Sequence, residues 1–404
     1  MVNVGIDLHK TQFTICVRSR SGDRFEQYPT TESGYEAFLK KTALWQKKGE
    51  EVRIGVESTG NTRYFKNRME EAGIGVTVIN TMKFKVVNES VKKTDKHDAS
   101  TIAEFLEKDI LPQSQLCSQE SELLRRLLKV RTTLVRSEVV IKNQIHALFK
   151  AEGQEDVKSA ALQSKRGRKQ VLNALNKCKN GLEAQTLIET IERLEENVKD
   201  IEERLRSVTK GDRMVELLMS IPGCGEISAW TIRAYTDEIK RFSSAKKYAS
   251  FAGLAPWVQN SNESIHHGSI TKRGPKELRT ALVQVVMGLR RMKEKTASFR
   301  LMRKYEAMKK SKGSGKSIIA AARKMAVIIW HMLTEDVEFA LELMVDRKLA
   351  RKSECMSGAI RMAEYALIED HEKSVVKAGK KKDGVVRKSV QEAGVAGKKR
   401  KKAG

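Results

Sequence analysis

VNVGIDLHKTQFTICVRS, residues 2–19, is the stretch whose reading decides the fold. VNVGID (2–7) and QFTICVRS (12–19) read as strands, and the short polar run between them suits a tight turn, so two successive strands are predicted. DRFEQYPT (23–30) predicts a third. Ser33 and Glu36 have capping-box spacing and open a helix through YEAFLKKTALWQKK. VRIGVES (52–58) reads as a strand, TRYFKNRMEEAG as a helix ended by Gly73, and GVTVIN (75–80) as a strand. A further helix runs from about Asp95 through Ile102 and Phe105. This order predicts an α/β domain whose first three strands form an antiparallel meander.

In such a sheet the second and third strands extend on the far side of the first, so the first and fourth lie side by side. Asp7 ends the first and Glu57 the fourth, and their carboxylates can meet at one edge. VKKTDKHDAS (91–100) puts Asp95 and Asp98 three positions apart on one helical face, where like charges repel. Alone it reads as a solvated charged face; the helix, however, can carry both acids to the same sheet edge. Four converging carboxylates raise one another's pKa unless cations sit among them. Hard divalent ions with oxygen ligands, Mg2+ or Mn2+, are the natural filling. A pair of such ions about 4 Å apart activates a nucleophile and stabilises the leaving oxygen in phosphodiester cleavage. Asp7, Glu57, Asp95 and Asp98 are therefore the candidate metal ligands and catalytic acids. His97 falls on another face and is expected to neighbour the site or contact phosphate. The arrangement resembles the ribonuclease H-like fold, specifically RuvC-like resolvases.

The chain has 77 Lys+Arg against 51 Asp+Glu, a net charge of +26 over 404 residues, which points to a polyanionic partner, nucleic acid above all. Its five cysteines show no metal-ligand or disulfide spacing and are expected as reduced thiols. The opening residues carry no secretory pattern and no apolar stretch nears 18 residues, so a cytoplasmic protein with no membrane contact is expected.

Beyond the α/β domain (1–115), residues 116–210 read as long helices. Leu187, Ile191, Leu194, Val198, Ile201, Leu205 and Val208 form a heptad seam after a basic break at SKRGRKQ (164–170). A coiled coil fits; the pattern alone leaves open pairing within the chain or with another subunit, and its regular alternation leans towards self-association. Residues 211–345 are mainly helical, and 346–404 form a basic tail, partly disordered. LLMSIPGCGEISAWTI (217–232) reads as a helix-hairpin-helix whose Gly223 and Gly225 let backbone amides approach a phosphate; an ordinary packing unit is the alternative. In FAGLAPWVQNSNESIHHGSITKRGPKELRTALVQ (251–284), a serine-rich loop between helices displays Ser261, Ser264 and Ser269 beside Lys272, Arg273 and Arg279. Such hydroxyls react only when a base or metal activates them and cations steady the phosphate.

GIDLHK, GVESTG, TDKHDA, the long helices, IPGCG, GLAP and GSITKRG, in that order, resemble the DEDD transposases of the insertion sequence 110 family over residues 2–345. GKSIIAAARKMAVIIWHML (315–333) is similar to that family's closing helix, where Arg323 and Lys324 would contact phosphate. The resemblance implies a RuvC-like domain with Asp7, Glu57, Asp95 and Asp98 and a transposase domain with a nucleophilic serine. Ser261 is the positional match and Ser264 the competitor; Asn262 follows Ser261 where the family has glycine. It further implies a prokaryotic, nucleoid-associated setting, a structured guide (bridge) RNA pairing with donor and target DNA, and homodimers that assemble into tetramers with sites composed across subunits. The expected reaction is excision and insertion by metal-assisted cleavage, a serine–DNA link, strand exchange and religation. A metal-dependent junction nuclease without serine catalysis, and a non-enzymatic nucleic-acid-binding protein, are the alternatives.

Overall fold

The computed structural model describes residues 1–19, 22–81, 83–84, 94–151, 153, 161–175, 180–261, 264–297 and 299–340. They fall in two units, Met1–Cys117 and Ser118–Gly404. The helices expected at 116–210 and the region at 211–345 thus share one unit. The basic tail lies outside the described residues.

In the first unit, β1 (Val2–Leu8) is buried along its whole length, so both faces of the sheet are covered. Alternation sends Val2, Val4, Ile6 and Leu8 into one core and leaves Asn3, Gly5 and Asp7 on the opposite face. β2 (Gln12–Ser19) pairs antiparallel with β1, and β3 (Gly22–Pro29) antiparallel with β2. β4 (Val52–Glu57) runs parallel to β1 and β5 (Gly75–Ile79) parallel to β4. The order is β3-β2-β1-β4-β5, so the meander and the β1–β4 adjacency expected from the sequence are both present.

Helices α1 (Glu32–Lys47) and α2 (Thr62–Glu71) contribute Tyr35, Phe38, Phe65 and Met69 to the core that holds Val4, Ile6 and Phe13. Helix α3 (Asp95–Glu107) packs on the other face. There Gly5 and Gly55 lie opposite each other. A Cβ on Gly5 would meet Ala99 O at 2.1 Å and Ala103 N at 2.4 Å; one on Gly55 would meet Ile102 Cγ2 at 2.9 Å. Two bare positions on adjacent strands let α3 settle directly onto the backbone of the sheet. The cap of α1 differs from expectation. Thr31, not Ser33, holds the extended N-cap conformation and accepts from the Gly34 N–H, because the helix already starts at Glu32.

In the second unit, α4 (Gln119–Ala151) runs antiparallel to α6 (Gly181–Val208). Leu124 and Leu128 share a core with Leu205, whereas Ile145 and Phe149, at the other end of α4, cluster with Ile188 and Ile191. Arg131 Nε donates to Glu202 at 2.7 Å between them. The two ends of the heptad seam therefore pack within the chain, Leu187 and Ile191 in one cluster and Ile201, Leu205 and Val208 in the other. The expected break at 164–170 is also different: α5 (Lys165–Leu175) is helical, and Arg168 is only 2% exposed. Its guanidinium donates to Leu162 O at 2.9 Å and bonds Glu195, so an apparent basic loop is a packed helix with an internal ion pair.

Helices α7 (Arg213–Met219), α8 (Glu226–Thr236), α9 (Ala245–Phe251), α10 (Lys276–Arg291), α11 (Lys293–Thr296) and α12 (Arg300–Glu335) build the rest, around Trp230, Tyr248, Leu282, Met325 and Ile329. The chain between α9 and α10 is a β-hairpin, β6 (Pro256–Ser261) and β7 (Ser264–Ile270), where a loop was expected. α12 kinks at Gly313. It also contains an 18-residue window of mean hydropathy 1.3, apolar enough by composition to cross a membrane, although no apolar stretch near that length was expected. Of that window 56% is buried in the protein's own core, which explains the apolarity. Cys16, Cys117 and Cys224 are free thiols; burial pushes Cys16 up to about 11 and Cys224 up to about 12, which leaves both protonated. Cys178 and Cys355 lie outside the described residues.

Candidate functional site

The acidic group forms where three elements end. Asp7 is the penultimate residue of β1, on the α3 face, and is 7% exposed. Glu57 closes β4, in the register position beside it. The turn after Glu57 is held by Thr62, a buried residue at the start of α2 whose hydroxyl donates to Glu57 O at 2.7 Å. Thr94 caps α3 by accepting from the His97 N–H, placing Asp95 and Asp98 in the first helical turn. Negative charge is favoured there by the helix dipole, which offsets part of the repulsion between them.

Within this group His9 stands between acids from two elements. Its Nε2 lies 3.0 Å from Asp7 Oδ2 and 3.5 Å from Asp95 Oδ1. Asp7, His9 and Asp95 offer ligand atoms all within 4.8 Å of one another, the one such triple among the described residues. Burial pushes the Asp7 carboxyl above its usual range, the adjacent His9 pulls it back, and Asp95 and Asp98 raise it further. The sequence reading missed His9. It follows β1 directly, and its N–H donates to Gln12 O at 2.9 Å to close the β1–β2 turn. Glu57 is placed at the edge but does not join the triple. His97 Nε2 is buried with no hydrogen-bond partner among the described residues, so it neither joins the triple nor shows a phosphate-facing position.

The donor set fits a hard divalent cation. Several carboxylates crowd one buried acid, and half-exposed His9 offsets them only in part. Oxygen ligands suit Mg2+ and Mn2+.

In the second unit the predicted nucleic-acid contacts divide. Gly223, at φ +78°, packs against the backbone of α10, where a Cβ would come 2.5 Å from Gly288 C. Gly225 caps α8 and has open space around it, so it is the turn glycine a phosphate could approach. Lys272 and Arg273 are exposed. Arg279 instead braces the chain: its Nη1 donates to Ala252 O at 3.2 Å and to Lys272 O at 3.4 Å. Arg323 and Lys324 are half-buried on α12. Ser261 and Ser264 are paired in register at the tip of the β6–β7 hairpin, whose two linking residues lie outside the described ones.

An α/β unit that gathers Asp7, His9 and Asp95 at one strand end, in a chain of strong positive charge, suits an enzyme that acts on DNA. Two family models agree with this. A transposase model of the DEDD type of the IS110 group matches residues 4–152, and the model described as "Transposase IS116/IS110/IS902 family" matches residues 215–300. Together they span more than half of the chain and all the candidate residues except Arg323 and Lys324. The chain belongs to the IS116/IS110/IS902 transposase family. It is 28% identical over 82% of its length to 89% of the transposase for insertion sequence element IS1111A of Coxiella burnetii. It is 23% identical over 83% of its length to 98% of the transposase for insertion sequence element IS1328 of Yersinia enterocolitica. A pilin gene-inverting protein of Moraxella bovis is 23% identical over 83% of this chain and 97% of its own.

Proposed function

We propose that this DNA transposase cuts and rejoins strands by transesterification, using a metal bound at its acidic edge and a serine on its hairpin. The observation that carries the reading is the convergence of Asp7, His9 and Asp95 donor atoms within 4.8 Å at the carboxyl end of β1. Asp7 and Asp95 hold the ion, with Asp98 and Glu57 completing the acidic edge as in RuvC-like domains. When bound, the ion polarises the phosphodiester and offsets charge on the leaving oxygen. The protein's own groups orient the strand: Lys272 and Arg273 steady phosphates, and the amides around Gly225 grip the backbone without reading bases.

Ser261, with Ser264 as the competing residue, supplies the hydroxyl. Its oxygen bonds to phosphorus as the hydroxyl proton is lost to water, the ester bond to a sugar oxygen breaks, and that oxygen takes up a proton from water to leave as the sugar hydroxyl. Attack by another strand's sugar hydroxyl reverses these steps and restores the serine. No bond energy is lost, so religation needs no high-energy cofactor.

The chain's charge and low aromatic content, 5%, support a partner that reads sequence on its behalf, namely a structured guide RNA bound through phosphates. Assembly into dimers and tetramers belongs to the same reading, supported by the exposed Val139 and Val140 on α4.

The test is a denaturation-resistant protein–DNA adduct. Wild type with magnesium or manganese is expected to form it; Ser261→Ala and Asp95→Asn are expected to lose it. Cleavage that survives both Ser261→Ala and Ser264→Ala but not Asp95→Asn would replace the serine mechanism with a metal-dependent nuclease. Sequencing of RNA that co-purifies with the protein tests the guide.

A further inference from the structure

Trp257 on β6 is 52% exposed, whereas Trp230 in the core is 2% exposed. Its ring rests on Gly268 of the facing strand. A Cβ there would come 3.0 Å from Trp257 Cε3 and 3.7 Å from Trp257 Cβ, so a side chain at this position would push the indole outward by a few tenths of an ångström. The legs of the hairpin stay joined at its base, where the Thr271 N–H donates to Ala255 O at 2.9 Å and the Lys272 N–H to Gly253 O at 3.2 Å. This brings exposed Lys272 and Arg273 beside the leg that carries the indole. An open aromatic face on a hairpin whose base carries exposed cations is the composition of a base-stacking platform. Ser261 lies four residues further along the same strand, roughly 13 Å of extended chain, a reach of a few nucleotides.

We propose that Trp257 is a stacking site for one unstacked base of DNA, with Lys272 and Arg273 on the neighbouring phosphates. The assignment of that base to the strand processed at Ser261 rests on the reaction proposed above. Charge favours nucleic acid over a second copy of the chain: Lys272 and Arg273 stand exposed at the base of the same hairpin and the chain carries +26. Stacking is indifferent to base identity, because every base has a π-face, so Trp257 would hold the strand without selecting sequence.

The experiment uses the full chain in EDTA, so that no cleavage intervenes, and follows tryptophan emission as short single-stranded DNA or RNA of the same sequence is added. Quenching by DNA is expected in wild type and absent in Trp257→Phe, whose affinity stays within about twofold because a ring remains. Trp257→Ala, checked for folding by circular dichroism, is expected to bind about tenfold more weakly with an unchanged salt slope. Lys272→Ala is expected to lower that slope by ~0.7. Equal quenching in wild type and Trp257→Phe overturns the site. So does quenching by RNA alone, or an emission change that follows protein concentration without nucleic acid, the sign of a second copy. A protein that forms the Ser261-dependent adduct but shows no Trp257 response sinks this inference alone. A Trp257 response without any adduct removes the serine chemistry and leaves the stacking site.

Discussion

Gly5 lies directly opposite Gly55 across the parallel strands β1 and β4, and α3 is seated over that pair. The same alternation that turns these glycines towards α3 puts Asp7 and Glu57 on that face, two residues further along each strand. Seating the helix and gathering the acids are therefore one structural event.

Replacing Gly5 is expected to separate them. In Gly5→Ala the new methyl meets backbone at 2.1 Å, which neither Ala99 nor Ala103 can yield without moving α3. A loss of about 1–3 kcal/mol in urea unfolding is expected, together with weaker manganese binding by calorimetry. Gly55→Ala is expected to cost less, because its nearest contact is the Ile102 Cγ2 methyl at 2.9 Å rather than backbone at 2.1 Å.

Metal binding has its own signature. Manganese is expected to raise the thermal midpoint of wild type and to leave Asp7→Asn unmoved. In metal-free buffer at neutral pH, Asp7→Asn is expected to be the more stable protein, because burial and the neighbouring Asp95 and Asp98 penalise a charged Asp7. His9→Ala is expected to weaken manganese binding, since it removes one of the clustered donor atoms. Undiminished binding would place His9 outside the coordination sphere.

Asp237 gives an acid-side prediction. Burial would raise its pKa, but the hydroxyls of Ser118 and Ser121, the Ser118 N–H and the charge of Arg241 together hold it below the usual 3.8. The unfolded chain then binds more protons in that window, so stability rises with pH there. The contribution is complete above 3.8 and disappears as pH falls through the lower folded value. Asp237→Asn is expected to cost about 1–2 kcal/mol at neutral pH, and the two proteins should converge in acid denaturation.

Arg279 and Arg273 separate bracing from binding. Arg279→Ala removes the guanidinium that ties Ala252 to Lys272, and is expected to reduce adduct formation while leaving the salt slope of DNA binding unchanged. Arg273→Ala is expected to lower that slope by ~0.7, as loss of one phosphate contact should.

Local signals were read correctly where one element contains its own information. The strands carry it in period-two alternation, and the order of elements left one economical sheet, so the adjacency of Asp7 and Glu57 followed. Three features were not legible where the deciding partner lies elsewhere in the chain. SKRGRKQ looks like a solvated break until Glu195, on another helix, pairs with Arg168. The heptads of α6 are silent on which helix they meet, and α4 of the same chain meets them. The serine-rich segment forms a hairpin because its legs pair with each other, which composition alone does not reveal.

By itself, then, the sequence determined the strand order, the acidic residues and the basic, DNA-acting character of this transposase, since alternation, capping and charge are properties of neighbouring residues. Only the tertiary structure decided that His9 stands between Asp7 and Asp95, that Arg279 braces a loop, and that Trp257 lies open on Gly268. Those relationships depend on distances between remote segments, which close packing sets and no local pattern encodes.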